Sequence, residues 1–444
     1  MNNPAATIQC GTHNLHNATE LKRIITDITA DYTFIYTQPG SIEWNQYGRE
    51  RMLQVARDTG AGMVYSDYYS IEEDRIQQHA NLDYQPGSIR DDFNFGPVAL
   101  YKTAVLKQAV SKINNALQYA ALYALRLNAS LMSDFVHISE LLYTLPGHSR
   151  AIGGYSHFAY VDPKNREVQL EMETVCTQYL KETKAYLKPE FEEVNIWASD
   201  FAIEASVIIP VKNRKKTIKQ AVLSALEQET SFPFNVIVID NFSTDGTSNI
   251  LKELNEKYEQ LVVVLPQTSD LGIGGCWNEG IMHPRCGRFA VQLDSDDLYI
   301  DKTVLQQIVE EFHEQQCPML VGSYKIVDFD LNEIPPGIID HREWTAENGR
   351  NNLLRINGLG APRAYYTPLI REIKFPNVCY GEDYFMGLAI SHRYRIGRIY
   401  NPLYLCRRWE GNTDSGIDLD RLNRYNRYKD SLRTQEMMKR MNSK

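Results

Sequence analysis

Between residues 205 and 293, short continuous apolar runs alternate with longer segments whose apolar residues recur at helical spacing. The continuous runs occupy residues 205–210, 235–240, 261–265 and 289–293. Such runs are typical of strands that are covered on both faces. The segments with helical spacing occupy residues 217–228 and 248–258. This alternation predicts an α/β fold with a doubly wound, mostly parallel sheet.

Polar clusters follow three of the predicted strands. They are Lys212 with Asn213, Asp240 with Asn241, and the run Asp294, Ser295, Asp296 and Asp297. Ligands bind such sheets at the carboxyl ends of the strands, so we expect the clusters to share one site.

The first 150 residues contain a partial repeat of a later part of the chain. Residues 31–70 align without gaps on 288–327, and residues 118–143 align more loosely on 383–404, with four extra residues in the first copy. The carboxylates are not repeated. The residues that match Asp294, Asp296, Asp297, Glu382 and Asp383 are Thr37, Pro39, Gly40, Leu117 and Gln118. We therefore predict a non-catalytic domain at 1–150, a helical connector at 151–203, a catalytic domain at 204–415 and a basic helix at 416–444.

Composition and charge exclude several classes of protein. The chain has 444 residues, with 27 Tyr, 15 Phe and 5 Trp, so most of it is folded. A net charge of −9 argues against nucleic acid as a partner. The seven cysteines are scattered without a C-x-x-C pair, which favours a reducing compartment, and no signal peptide or membrane-spanning run is evident. We therefore expect a cytoplasmic protein.

The aspartate run suggests a metal site. Three carboxylates in four residues repel one another unless a cation neutralises them, and Mg²⁺ or Mn²⁺ bound in this way often also binds substrate phosphates. In isolation, Asp294, Asp296 and Asp297 could equally form a solvated acidic loop. Their position after a buried strand favours the metal site.

Three weaker motifs have structural alternatives. The glycine-rich turn with Gly272 and Gly275 could let the backbone approach a phosphate, or it could be a tight turn without a ligand. Glu382 and Asp383 open a helical stretch, where acidic residues are favoured by the helix dipole, although an ionised Asp can also act as a base. Arg407, Arg408 and Trp409 could neutralise a diphosphate and stack on a sugar, or form a basic surface patch.

Taken together, the motifs resemble glycosyltransferase family 2. The segments that carry the resemblance are ASVIIPVKN (205–213), VIVIDNFSTDGT (236–247), LGIGGCWNEGI (271–281), LDSDD (293–297) and GED (381–383). The resemblance implies a Rossmann-like GT-A fold for 204–415 and a truncated, degenerate GT-A-like domain at the N-terminus. Two positions depart from the family pattern: Asn241 replaces a frequent Asp, and Trp277 replaces a frequent Arg.

The resemblance also implies an activity, namely inverting transfer of a sugar from a nucleotide-sugar donor to a glycan or lipid-linked glycan acceptor, with Mn²⁺ or Mg²⁺. Asp383 would be the base, with Glu382 beside it, and Asp294, Asp296 and Asp297 would bind the metal and diphosphate. The implied donor-binding residues are Pro210, Lys212, Asn213, Asp240, Asn241, Gly272, Gly275, Asn278, Asp294, Arg407, Arg408 and Trp409.

Two other functions remain open at this point. One is a carbohydrate- or nucleotide-binding protein without catalysis, which the acidic motifs disfavour. The other is a sugar nucleotidyltransferase, which would need a glycine in the basic segment 211–216. The C-terminal tail, 421–444, has eight Lys or Arg against two acids, Asp430 and Glu436. It predicts a solvated helix or a peripheral contact with an anionic membrane at its inner face.

Overall fold

The computed structural model describes residues 5–10, 12–72, 75–146, 165–342, 344–345, 347–412 and 417–442. The chain forms two compact units, and each unit is assembled from segments that are discontinuous in sequence. Unit 1 comprises Met1–Tyr160, Asn165–Tyr186 and Asp418–Lys444, and unit 2 comprises Val161–Lys164 and Leu187–Ile417. The domain boundaries predicted at 150 and 415 lie outside the described residues.

Unit 1 begins with twelve elements before the second unit starts. They are β1 (Ala5–Gln9), α1 (Ala18–Thr26), β2 (Tyr32–Tyr36), β3 (Glu43–Trp44), α2 (Gly48–Thr59), β4 (Met63–Glu72), β5 (Arg75–His79), β6 (Val98–Lys102), α3 (Thr103–Ser111), α4 (Ala121–Ser130), β7 (Phe135–Leu145) and α5 (Arg166–Glu182).

Unit 2 follows, and a final helix returns to unit 1. The elements of unit 2 are β8 (Ala205–Val211), α6 (Ile218–Leu226), β9 (Phe234–Asp240), α7 (Thr247–Asn255), β10 (Leu261–Val264), α8 (Ile273–Met282), β11 (Phe289–Gln292), β12 (Leu298–Tyr299), α9 (Val304–Gln315), β13 (Met319–Val327), β14 (Glu333–Ile339), α10 (Gly349–Asn352), β15 (Arg363–Tyr366), α11 (Thr367–Ile373), α12 (Glu382–Ser391) and β16 (Ile396–Arg407). The final helix is α13 (Leu419–Asn442).

The sheet of unit 2 has the strand order β10-β9-β8-β11-β15-β13-β16-β12, and β14 pairs with β13. Strands β10, β9, β8 and β11 are parallel, whereas β15 runs antiparallel between β11 and β13. Strands β8 and β9 bury almost every side chain, as expected for continuous Val and Ile runs with both faces covered. The predicted α/β class is confirmed, and the four predicted strands lie within one residue of their predicted bounds.

This topology places the predicted polar clusters together at one edge. Strands β8, β9 and β11 end at Val211, Asp240 and Gln292, and because they are parallel, their carboxyl ends share an edge. The clusters that begin at Lys212, Asp240 and Asp294 therefore follow neighbouring strands.

The sheet of unit 1 has the order β1-β2-β6-β4-β7-β3, with β5 paired to β4. Apolar side chains cover both of its faces. One core centres on Leu21, Leu106 and Leu125, and the other centres on Phe34 and Tyr143. Unit 1 therefore has hydrophobic cores of its own.

The segment predicted as a connector contains α5, which groups with unit 1 instead of linking two domains. Its Glu171 carboxylate accepts hydrogen bonds from the backbone N–H groups of Gln118, Tyr119 and Ala120, at 2.8–3.1 Å. These N–H groups precede α4, so Glu171 caps that helix from another element. Residues 151–164 of the predicted connector lie outside the described residues.

Helix α13 differs from the predicted solvated helix, because one of its faces is buried in unit 1. On that face, Asp430 Oδ1 lies 3.1 Å from Arg90 Nε and 2.8 Å from Arg433 Nη1. The buried members of the helix include Asn426, Lys429, Asp430, Arg433, Glu436 and Arg440. Buried charges require partners, and the ion pairs of this face supply them.

No helix in the described part of the chain is long and apolar enough to cross a membrane.

Candidate active site

The end of β9 contributes Asp240 and Asn241. The Asp240 carboxylate is occupied by its own loop, because it accepts hydrogen bonds from Ser243 N at 3.1 Å and from the Ser248 hydroxyl. Asn241 Nδ2 donates to Leu271 O at 2.8 Å. Asn241 Oδ1 is buried and accepts no hydrogen bond from any described residue. This oxygen is therefore an acceptor suited to a donor group of a ligand.

The end of β8 contributes Pro210, Lys212 and Asn213. Pro210 is half-buried in the strand, and Lys212 is exposed beyond it. Asn213 has a φ of 56° and braces the next loop, because its Oδ1 accepts from Thr244 N at 2.7 Å. The predicted contacts of these three residues with a nucleotide remain predictions, and the observed role of Asn213 is structural.

The aspartate run after β11 is held by residues at the end of β16. Asp297 Oδ1 accepts from Arg407 N at 2.8 Å. Asp296 Oδ2 accepts from Trp409 Nε1 and Asn412 Nδ2, both at 3.2 Å. These bonds join Arg407 and Trp409 to the acidic motif, and their predicted contact with a donor diphosphate and sugar remains a prediction. The backbone N–H of Arg408 donates to Val327 O at 2.7 Å.

Burial and mutual repulsion act on the same carboxylates. Burial, followed by the charge of Asp294, raises the pKa of Asp296. Burial and the charges of Asp296 and Asp294 raise the pKa of Asp297 well above its ordinary value. A cation would relieve both effects. Arg214 supplies part of this charge, since its Nε lies 3.7 Å from Asp296 Oδ2.

The donor set fits a metal only if a ligand completes it. Among the described residues, no three His, Cys, Asp or Glu side chains converge on one point. The Asp297 carboxylate is buried and accepts from a backbone N–H, whereas Asp294 and Asp296 are partly exposed, with one oxygen of each accepting hydrogen bonds from neighbouring side chains. Mg²⁺ and Mn²⁺ commonly take one or two protein carboxylates and complete their shell with water and substrate phosphates. The residues present fit that arrangement and do not form an all-protein metal cage.

Arg407 is a buried cation with unused donors. Its side chain is 1% exposed, and Nη2 donates to Gln220 Oε1 at 3.0 Å. Its Nε and Nη1 meet no acceptor within the described chain. Burial lowers the pKa of this guanidinium. The negative charges of Asp297 and Asp296 act in the opposite direction and only partly offset it. Two unused N–H donors beside the acidic motif are suited to an anionic ligand.

An aromatic pair lies next to this cation. The Phe329 ring is 5.3 Å from the ring of Trp409, centroid to centroid, and the Arg407 guanidinium lies 5.2 Å from the Phe329 centroid. Phe329 is 40% exposed at the tip of the β13–β14 hairpin. Asp328 and Asn332 close this tip, since Asn332 N donates to Asp328 Oδ1 at 2.9 Å.

Glu382 and Asp383 occupy the first turn of α12. Asp383 Oδ2 lies 3.0 Å from Arg363 Nη1. Glu382 is buried, and its Oε2 has no hydrogen-bond partner among the residues described. Burial and the neighbouring charge of Asp383 raise the pKa of Glu382 to about 8. The two carboxyl groups therefore differ in environment, and the more polar one is Asp383.

The glycine-rich turn packs against the segment that leads to α12. Gly272 N donates to Asn377 Oδ1 at 2.7 Å, and a Cβ at Gly275 would lie 2.3 Å from that same oxygen. Asn278 is bonded through both ends of its amide to the backbone of Phe375, at 2.8 and 2.9 Å. The structure thus gives Gly272, Gly275 and Asn278 packing contacts, and their predicted contact with the donor remains a prediction.

Sequence reasoning missed four residues of this site, namely Arg214, Gln292, Phe329 and Arg363. Arg363 is a single arginine in a short strand, and Phe329 is one of many aromatic residues. Neither belongs to a spaced motif. Arg214 alone had a signal, because it directly follows the polar cluster after β8.

The comparisons with known proteins agree with the motifs. The family "Glycosyl transferase family 2" matches residues 206–371. The chain is 27% identical over 205 residues to the Escherichia coli protein UDP-Glc:alpha-D-GlcNAc-diphosphoundecaprenol beta-1,3-glucosyltransferase WfgD, covering 46% of this chain and 76% of the relative. It is 30% identical over 176 residues to Poly(ribitol-phosphate) beta-N-acetylglucosaminyltransferase TarS of Staphylococcus aureus, covering 38% of this chain and 29% of the relative.

A further relative and a solved structure are also similar to the chain. The putative teichuronic acid biosynthesis glycosyltransferase TuaG of Bacillus subtilis is 32% identical over 126 residues, covering 28% of this chain and 48% of the relative. A crystal structure of S. aureus TarS 1–349 with UDP-GlcNAc is 24% identical, covers 54% of this chain and 72% of its own, and has a TM-score of 0.41. Apart from WfgD, the chain spans less than half the length of these sequence relatives. The prediction of a glycosyltransferase is confirmed, and residues 206–371 are a glycosyl transferase family 2 domain.

Proposed function

We propose that unit 2 transfers a sugar, with inversion, from a nucleotide-sugar donor to an acceptor hydroxyl in a reaction that requires Mn²⁺ or Mg²⁺. One observation carries this proposal. Buried polar atoms of Asn241 and Arg407 lack partners among the described residues, and each suits one part of such a donor. An amide acceptor suits an N–H or O–H of the nucleoside, and two guanidinium donors suit the diphosphate.

The charges of the site match the leaving group. A nucleoside diphosphate leaves with negative charge, and the Arg407 guanidinium would bind its phosphate oxygens. Asp294 and Asp296 would hold a divalent cation, and that cation would supply charge neutralisation at the diphosphate. Because the protein supplies few ligands, we expect the metal and the nucleotide to bind together.

Asp383 is the proposed base. It would take the proton of the acceptor hydroxyl while that oxygen forms a bond to the anomeric carbon. The bond from the anomeric carbon to the diphosphate oxygen breaks with its electron pair on the leaving group. Attack opposite that group inverts the configuration. Asp383 is better suited than Glu382, whose raised pKa keeps it protonated at neutral pH.

The named relatives suggest the substrates. WfgD is named for UDP-Glc and a diphosphoundecaprenol-linked GlcNAc, and TarS for poly(ribitol-phosphate). We propose a UDP-sugar donor and a glycan or lipid-linked glycan acceptor in surface-glycan assembly. A cytoplasmic location, at the inner face of the membrane, belongs to the same proposal.

Nucleotide binding is the first test. We expect one of UDP, GDP, dTDP and CDP to raise the thermal unfolding midpoint of the full chain only when Mn²⁺ is present. Asp383→Asn should keep that rise and lose sugar transfer from the matching nucleotide sugar. The matched control is Glu192→Gln, because Glu192 also pairs with an arginine but at an exposed position. Full transfer by Asp383→Asn would exclude Asp383 as the base.

We further propose that unit 1 is a truncated, degenerate copy of the same fold. Its strands β1, β2, β6, β4, β7 and β3 pair in the same order and directions as β8, β11, β15, β13, β16 and β12. Two loop hydrogen bonds also recur. Thr103 N bonds Asp31 O as Thr367 N bonds Arg288 O, and Lys102 N bonds Gly62 O as Tyr366 N bonds Pro318 O.

This correspondence revises the looser part of the sequence alignment. Helix α4 begins at Ala121 where α12 begins at Glu382, and β7 begins at Phe135 where β16 begins at Ile396. Both pairs differ by the same number of residues, so no insertion is needed. Ala121 and Leu122 then match Glu382 and Asp383, in place of Leu117 and Gln118. Neither is acidic, and Glu171 already caps α4, which supports a non-catalytic unit 1.

A further inference from the structure

The base proposed above is held by a neighbouring strand. Arg363 Nη1 lies 3.0 Å from Asp383 Oδ2, and the same nitrogen donates to Gly360 O at 2.7 Å. Asp383 Oδ1 accepts from Tyr384 N at 2.7 Å. Each carboxylate oxygen therefore has a donor, and the guanidinium is itself anchored to the backbone. Such a carboxylate has a defined orientation.

Gln292 continues this chain of contacts to the acidic motif. Its Nε2 donates to Asp294 Oδ1 at 2.9 Å, and its Oε1 accepts from Arg363 N at 3.1 Å. Gln292 is 1% exposed and ends β11. Burying an amide costs free energy unless both of its ends are bonded, and these two bonds satisfy both.

We propose that Arg363 is the positioning residue for Asp383, and that Gln292 connects it to Asp294 on the donor side of the site. This inference rests on the proposed function. Arg363 aims the carboxylate at the acceptor hydroxyl and supplies the positive charge that keeps it ionised. Through Gln292, strand β15 stays in register with the motif that would bind the diphosphate.

The charges around Asp383 predict a measurable consequence. The titratable groups of this cluster include Glu382 on α12, Arg363 and Tyr365 on β15, and Asp294 after β11. Arg363 is the cation of this set. Removal of Arg363 would leave the carboxyl groups of Glu382 and Asp294 without this cation, which disfavours the ionised form of a carboxyl group beside them. The acid limb of the rate profile would move to higher pH.

The experiment compares Arg363→Met, Arg363→Lys and Gln292→Met in the full chain. The readout is nucleoside diphosphate release from the UDP-sugar that wild type turns over, across pH 5–9. We expect Arg363→Met to lower kcat roughly 100-fold and to move the acid limb up by about one pH unit, with UDP affinity within about twofold. Arg363→Lys should restore part of both effects. Gln292→Met should lower kcat, and its effect should not add to that of Arg363→Met.

The control is Arg393→Met, which breaks an exposed ion pair with Glu192 in the same unit. A fall in kcat without movement of the acid limb, in both Arg363 variants, would overturn the positioning role. An effect of equal size in Arg393→Met would also overturn it. Asp383→Asn separates the two levels of inference. If it is inactive while Arg363→Met behaves as wild type, only this inference fails, and if it is fully active, the proposed function fails as well.

Discussion

At the scale of single residues, two adjacent carboxyl groups have different surroundings. Asp383 is paired with Arg363, whereas Glu382 is buried and its Oε2 has no hydrogen-bond partner in the described part of the chain. The resemblance assigned the base to Asp383 and placed Glu382 beside it. The sequence alone could not give the difference in their surroundings, because that difference depends on how strand β15 packs. For the same reason, the sequence could not show that Arg407 is buried and has side-chain donors without an acceptor among the described residues.

The raised pKa of Glu382 predicts a pH-dependent stability. A folded-state pKa of about 8 means that the contribution of this group is present below its unfolded pKa and is lost as pH rises towards 8. Glu382→Gln cannot ionise. Relative to wild type, its free energy of unfolding should therefore increase between pH 5.5 and pH 9, by at least about 1 kcal/mol. Urea unfolding at both pH values tests this, with Glu192→Gln as the control. An equal difference at the two pH values would contradict it.

At the scale of elements, the parallel strands were the most predictable part. Their continuous apolar runs identify them without reference to partners. The antiparallel strand β15 was not predicted, because its four residues include an arginine and lack a distinctive period. The packing role of the glycine-rich turn was also not evident, because it depends on residues 376–378, which are about a hundred positions away.

The turn before α8 should therefore respond to substitution as a packing element. A Cβ at Gly274 would lie 1.9 Å from Pro376 O and 3.0 Å from Glu382 Cβ. Gly274→Ala should displace the segment before α12, destabilise the protein by about 1–3 kcal/mol and lower kcat. Thermal unfolding and turnover test this. A variant with wild-type stability and weakened nucleotide binding would instead favour a direct phosphate contact by the turn.

The hairpin tip offers a further test. Phe329 is 40% exposed beside Trp409, so its removal should cost little stability, and an exposed aromatic ring suits packing against the apolar face of a sugar. We expect Phe329→Ala to raise the KM for the acceptor roughly fivefold or more, with the metal-dependent nucleotide response retained. Leu265→Ala, which removes another exposed apolar side chain, is the control. Unchanged kinetics in Phe329→Ala would exclude this contact.

At the scale of the whole molecule, the C-terminal helix belongs to the same unit as the N-terminal residues, although unit 2 separates them in sequence. Helix α13 has a polar, basic sequence that predicts a solvated surface, yet its Asp430 is 1% exposed between Arg90 and Arg433. Charge patterns along one helix cannot reveal a buried ion pair whose partner lies 340 residues earlier.

Breaking this ion pair should affect unit 1 selectively. Asp430→Ala would remove the carboxylate that Arg90 and Arg433 share, while Arg90 would keep its ion pair with Asp92 at 2.6 Å. Breaking a buried ion pair typically costs up to about 3–5 kcal/mol. We expect the unfolding of unit 1 to shift to lower temperature, while the nucleotide response of unit 2 persists. Calorimetry with and without UDP and Mn²⁺ measures both, and Asp420→Asn, at the exposed start of α13, is the control. Loss of the nucleotide response in Asp430→Ala would show that the two units are not independent.

The position of α13 also determines when unit 1 can be completed on the ribosome. Residues 5–186 emerge first, but the helix that covers Arg90 is synthesised only after all of unit 2. During that interval the nascent unit 1 exposes the surface that α13 later covers. Chaperones would therefore be expected to bind the N-terminal part of the nascent chain until the last helix is released.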